Sequence, residues 1–171
     1  DKVAVIEGPP NAFNAQQRRL GFHEAMQAAG MKIVSSQSGY WETDKASQVA
    51  SAIITEHPDL KALLCSNDSM ALGAIAALRA AGRLDQVRVV GYANISAVQS
   101  LLKEGRILAT AAQHADQRER DRRHEHAGLE PFDTHVHIVH LIQDFVVCLA
   151  SLVAAAGAVA TVRAALGTAA V

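Results

Sequence analysis

Residues 62–82, ALLCSNDSMALGAIAALRAAG, restrict the chain to one kind of local architecture. The four residues 62–65 are apolar and read as a short buried strand. Ser66, Asn67, Asp68 and Ser69 form a turn of capping residues. Residues 70–81 favour helix strongly, and Gly82 stands where a helix ends with positive φ. A buried strand that runs through polar side chains into a helix N-terminus is a site-forming unit, because ligands of open parallel sheets bind outside the carboxyl ends of the strands. Asn67 and Asp68 fall at that edge. In one reading Asp68 caps the helix and Asn67 faces a ligand with one acceptor and two donors. In the other, both residues are caps and nothing more.

The same strand–helix unit recurs along the chain, whose 171 residues suit one domain with one core. Residues 3–6 are a first strand, broken by Gly8-Pro9-Pro10. A helix follows over about 14–29, with Phe22, Ala25, Met26 and Ala29 on one apolar stripe. Residues 31–35 form a second strand, and residues 36–41 a polar loop. Thr43 or Asp44 caps the next helix, whose buried face is Ala46, Val49, Ala50, Ile53 and Ile54, and Pro58 stops it. After the central unit, residues 87–92 make a fourth strand. Ser96 caps a helix carrying Val98, Leu101 and Leu102, and Gly105 closes it. Residues 107–111 are a fifth strand leading to Gln113. Short apolar strands alternating with helices predict a flavodoxin-like α/β fold: a five-stranded parallel sheet with helices on both faces. Right-handed crossovers then place all five strand exits on one edge.

Several functions are excluded at this point. A net charge of −1 leaves no electrostatic footprint for nucleic acid. Cys65 and Cys148 lie far apart and make neither a disulfide framework nor a metal motif. Gly8-Pro9-Pro10 lacks the glycine spacing of a phosphate loop, and two of its residues lack N–H groups, so no nucleotide cofactor is expected. Ser66 and Ser69 have no histidine and orienting acid near them in sequence, and His57 sits at a helix end away from the ligand edge, so no catalysis is expected. The exits offer instead Asn67, Asn94 and Gln113, the indole of Trp41 and, one turn into the first helix, Arg18. Planar amides, a guanidinium and an aromatic plate suit the hydroxyl rim and apolar C–H face of a sugar. The same set would serve other polar small ligands.

Six stretches in order resemble one family: KVAVIEG (2–8), RRLGF (18–22), HPD (57–59), NDSMALGA (67–74), VVGYAN (89–94) and ATAAQHADQ (109–117). Residues 1 to about 117 are similar to the C-terminal lobe of periplasmic sugar-binding proteins of the ribose-binding type, the type 1 solute receptors of ABC importers. The resemblance implies a periplasmic carbohydrate-transport receptor that is not an enzyme, needs no cofactor or metal, binds a monosaccharide and docks on a permease. It implies that Arg18 binds sugar oxygens, Trp41 stacks on the ring, Asn67 pairs with adjacent hydroxyls, and Gln113 reaches the same sugar from the hinge. Simpler roles stand beside these: a solvated helix face for Arg18 or Arg19, a loop plug for Trp41, a hinge hydrogen bond for Gln113. The lobe is shared with the effector domains of sugar-responsive transcription regulators, which would need a DNA-reading head.

Three departures from the family follow. An acid usually follows Gly-Tyr or Gly-Phe at the fourth strand exit, where this chain has Ala93. Loss of that acceptor predicts weakened affinity or a different ligand, with Asn94 as a partial substitute. The family closes two lobes on its ligand, and the segment matching Lys2 begins the second of them. The match also stops near Gln117. Residues 118–171 bring a charge run, five histidines and an Ala/Val-rich end, and carry no assigned structure. A solvated helix or linker accounts for the charge run. His135 and His137 in DTHVH resemble the first-strand metal motif of amidohydrolase barrels, though only 34 residues follow His137. Residues 145–162 are an uncharged run long enough for a membrane span, with a buried hairpin helix or disorder as the preferred readings. A shifted reading frame is a further explanation of the change in composition.

Overall fold

The computed structural model describes residues 1–112. The strands are β1 (Lys2–Glu7), β2 (Lys32–Ser38), β3 (Leu60–Cys65), β4 (Arg88–Ala93) and β5 (Ala109–Ala112). Between them run α1 (Phe13–Ala28), α2 (Thr43–Glu56), α3 (Asp68–Ala80) and, after a 3₁₀ turn over Ser96–Val98, the short α4 (Gln99–Lys103). All the strand pairs are parallel, in the order β2-β1-β3-β4-β5. This is the flavodoxin-like order, and the chain reverses its direction across the sheet between β1 and β3.

Period-two alternation of the strand residues builds two cores. Ala4, Ile6, Leu63, Cys65 and Val89 face α2 and α3, where they bury Ala46, Ala50, Ile53, Ala74 and Leu78. Val3, Val5, Ala62, Leu64, Val90 and Tyr92 face the opposite way, against Phe22, Ala25 and Met26 of α1. Helices α2 and α3 approach closely at Gly73, where a Cβ would stand 2.2 Å from the Thr43 carbonyl oxygen and 2.9 Å from the Ser47 nitrogen. Only the missing side chain lets the two backbones meet there.

The differences from expectation lie at element ends. Ala29, expected on the buried stripe, is exposed because α1 ends at Ala28 and Ala29 serves as its C-cap. Strand β2 continues through Ser36, Gln37 and Ser38, expected as loop, because Glu7 still has Ser38 as its ladder partner. Neither Thr43 nor Asp44 caps α2; Glu42 holds the N-cap position and makes no side-chain capping bond. Ser96 likewise caps nothing, since the chain enters a 3₁₀ turn from Ile95. β5 begins at Ala109 rather than 107; Ile107 is buried ahead of it, and the Leu108 N–H bonds the Val89 carbonyl at 2.7 Å. Gly82 follows α3 at φ +65°, as expected.

Candidate ligand-binding site

The register puts the ends of β1, β2 and β3 level, with Ile6 between Gln37 and Cys65. The next residues, Gly8, Gly39 and Ser66, therefore open on one edge at the topological switch point. Arg18, in the second turn of α1, reaches into this edge and is only 7% exposed. Its Nη1 donates to the Ser66 carbonyl oxygen at 2.6 Å. Its guanidinium carbon lies 3.8 Å from the centroid of the Tyr92 ring and 5.4 Å from that of the Trp41 ring. One cation thus ties α1, the loop before α2, the end of β3 and the end of β4 together. A stacked, partly desolvated guanidinium contributes about 0.5–2 kcal/mol at each such contact. The neighbouring Arg19 is half exposed and lies 3.8 Å from Glu7, so the two arginines point to different surroundings.

Trp41 sits in a loop with an unusual backbone. Tyr40 and Trp41 have φ of 55° and 65°, a left-handed pair costing about 1–3 kcal/mol per residue. Local bonds hold it: Ser38 Oγ donates to the Gly8 carbonyl at 2.8 Å, and the Tyr40 N–H donates to Ser38 Oγ at 3.2 Å. The indole lies over Gly8, where a Cβ would come 2.2 Å from Cζ2. Trp41 packs partly against the α2–α3 core, and so has a plugging contact as well as a face near Arg18.

At the end of β3 the structure goes against the reading in which Asp68 caps α3, and agrees only for Asn67 with the reading in which both residues cap. Asn67 is the N-cap, its Oδ1 accepting from the Met70 N–H at 2.8 Å. Its two amide N–H donors have no hydrogen bond among the described residues, and the side chain is half-buried. Asp68, 1% exposed, instead turns its carboxylate to β4 and β5. Its Oδ2 accepts from the Ile95 N–H at 2.9 Å and its Oδ1 from the Thr110 hydroxyl at 2.7 Å. The Ser66 hydroxyl is buried without a hydrogen-bond partner among the described residues.

At the β4 exit, Ala93 and Asn94 have φ of 120° and 57°. Ala93 is half-buried and Asn94 exposed. The Asn94 N–H donates to Thr110 Oγ at 3.2 Å, and its side-chain oxygen accepts from Gln99 Nε2, so part of its bonding capacity is spent within the loop. Tyr92, which sequence reasoning placed at the exit without a role, completes the stack on Arg18. Gln113, the DTHVH histidines and the apolar run at 145–162 lie outside the described residues.

Among the described residues, one serine, histidine and acid come together without the order of a nucleophilic triad. Ser36 donates to Glu7 and stands 3.2 Å from His23 Nε2, a contact hidden from sequence spacing. The serine lies between acid and histidine, whereas a nucleophilic triad needs the histidine in the middle. Burial pushes the Cys65 thiol well above its ordinary range, so it stays protonated and unreactive. Among the described residues no group of three histidines, cysteines or acids is placed to hold a metal, and no helix is long and apolar enough to cross a membrane.

At the carboxyl edge of its strands this doubly wound α/β lobe brings together a stacked arginine, two aromatic rings and a capping amide. Residues 1–119 match the family described as periplasmic binding protein domain, and the chain belongs to that family. It is 64% identical over 115 residues to a D-ribose/D-allose-binding protein of Pseudomonas aeruginosa, covering 67% of this chain and 36% of that one. It is 37% identical over 114 residues to the D-allose-binding periplasmic protein of Escherichia coli, covering 66% and 37%. Among solved structures, an ABC transporter solute-binding protein of Burkholderia multivorans is 57% identical with a TM-score of 0.67, over 68% of this chain and 41% of that one. A periplasmic solute-binding protein of Actinobacillus succinogenes with bound D-allose is 32% identical with a TM-score of 0.68, over 75% and 47%. The chain thus spans a little over a third of the length of the curated relatives it matches.

Proposed function

We propose that residues 1 to about 117 form a sugar-capturing lobe of the receptor of an ABC importer, that this receptor works in the periplasm without catalysis, and that residues 118–171 lie outside the lobe. The observation that carries the reading is the stack of Arg18 on Tyr92 beside Trp41, with the amide donors of Asn67 at the next exit. In this reading the Trp41 indole offers an aromatic face for sugar C–H groups, and Asn67 offers N–H donors for hydroxyl oxygens. The relatives named for ribose and allose support an aldose as the ligand class, and the solved relatives named as ABC transporter solute-binding proteins support a transporter as the partner class. Arg18, Trp41 and Asn67 are the contacts, Asn94 contributes through its remaining donors, and Gln113 reaches the ligand from beyond β5. Ala93 leaves one ligand hydroxyl without a charged acceptor, which lowers affinity by about 1–3 kcal/mol.

Calorimetric titration of the full chain with D-ribose and with D-allose tests this. Saturable heat with either sugar, and none with an apolar amino acid of similar size, is expected. Equal response to the amino acid, or no response to either sugar at tens of millimolar, overturns it.

A further inference from the structure

The buried carboxylate of Asp68 is not used by the helix it begins. An acid in the first turn of a helix gains from the N-terminal dipole wherever it points. This one leaves the helix and spans to two other elements. It accepts the Ile95 N–H from the β4 exit and the Thr110 hydroxyl from β5, and Thr110 in turn accepts the Asn94 N–H. Gly91 gives it passage, since a Cβ there would stand 2.1 Å from Asp68 Oδ1. The bonded segment includes Asn94, and the residue before it is Ala93, both in backbone conformations that L-residues rarely adopt. Each such residue costs about 1–3 kcal/mol and persists only where its surroundings over-determine it. Hydrogen bonds to a charged acceptor are the strong kind, and here they supply that constraint.

We propose that Asp68 is a positioning residue, a latch that fixes the β4 exit, with Tyr92 and Asn94, against the Asn67 cap so that the two halves of the ligand edge keep one geometry. The role rests on the sugar reading above and adds a residue that does not touch the ligand. It also explains why Asn67, and not Asp68, caps α3. The acid is already committed to donors 27 and 42 residues away.

The test uses the full chain with Asp68→Asn, Thr110→Val and Thr110→Ser. Amide hydrogen exchange is read at Asn94 and Ile95, with Phe22 of α1 as an internal reference, and affinity is read with D-ribose and D-allose. Asp68→Asn retains one acceptor oxygen for two donors. It is expected to speed Ile95 exchange relative to Phe22 and to weaken sugar binding, each by about tenfold. Thr110→Val is expected to free the Asn94 amide and weaken binding severalfold, and Thr110→Ser to behave as the parent. Unchanged Ile95 exchange in Asp68→Asn overturns the latch, as does a freed loop with parental affinity. If Asp68→Asn does not fold, the threonine pair decides, and equal behaviour of Val and Ser overturns the proposal. A parent chain that binds neither sugar while Asp68→Asn still frees Ile95 refutes the sugar reading and supports the latch.

Discussion

Asn67→Ser separates the two duties of one side chain. In the parent, Oδ1 accepts from the Met70 N–H at 2.8 Å, which spends one of its lone pairs on the cap and leaves the two Nδ2 hydrogens as donors for a ligand. Serine caps a helix about as well as asparagine, so the folding free energy should change by no more than about 0.5 kcal/mol. The amide donors vanish with the substitution. At about 0.5–1.5 kcal/mol for each neutral hydrogen bond, losing one or two weakens sugar binding by about 0.5–3 kcal/mol, or roughly 2- to 150-fold. Asn67→Ala should show the same loss of affinity together with about 1 kcal/mol of lost stability, because the cap goes too. Trp41 is the only tryptophan, so its fluorescence reports binding without a label. Urea denaturation of the same samples reports stability. Parental affinity in Asn67→Ser would refute the assignment of the amide to the ligand. A large stability loss in Asn67→Ser would refute the description of the cap.

Three further predictions follow from the geometry. Ala93→Asp restores a charged acceptor at the β4 exit and should tighten D-ribose or D-allose binding about tenfold, as read by calorimetry; unchanged affinity would remove that position from the site. Gly73→Ala drives a Cβ into backbone atoms of α2 and should cost about 1–3 kcal/mol in urea denaturation, since neither helix can yield through a side chain alone. Arg83 donates to the carbonyls of Ile54, His57, Pro58 and Leu60, joining the end of α2 to the start of β3. Arg83→Met should therefore cost about 1–3 kcal/mol of stability and leave sugar affinity unchanged, because this clamp lies at the edge of the sheet opposite the strand exits.

The order of strands and helices was legible because apolar runs, capping turns and helix-ending glycines alternate along residues 1–112. The ends of elements were not. β2 is an edge strand, and its Ser35-Ser36-Gln37-Ser38 carries no apolar alternation to separate it from loop. Helical periodicity does separate the two arginines: Arg18 shares the buried stripe of Ala15, Phe22 and Ala25, and Arg19 lies a step round from it. The division of labour between Asn67 and Asp68 was illegible, because distant backbone N–H and hydroxyl groups decide it. The stack of Tyr92 on Arg18 is hidden for the same reason: α1 and β4 are neighbours in space and far apart in sequence. The resemblance implies contacts at Arg18, Trp41, Asn67 and Gln113; the structure adds how Arg18 is held and which donors Asn67 keeps.

The most direct measurement is of nuclear Overhauser effects between sugar protons and ring protons in the full chain with saturating D-ribose or D-allose. A sugar held as proposed gives contacts from its C–H protons to the ring protons of Trp41, beside Arg18. Binding that gives no contact to Trp41, or the absence of binding by either sugar, would contradict that placement.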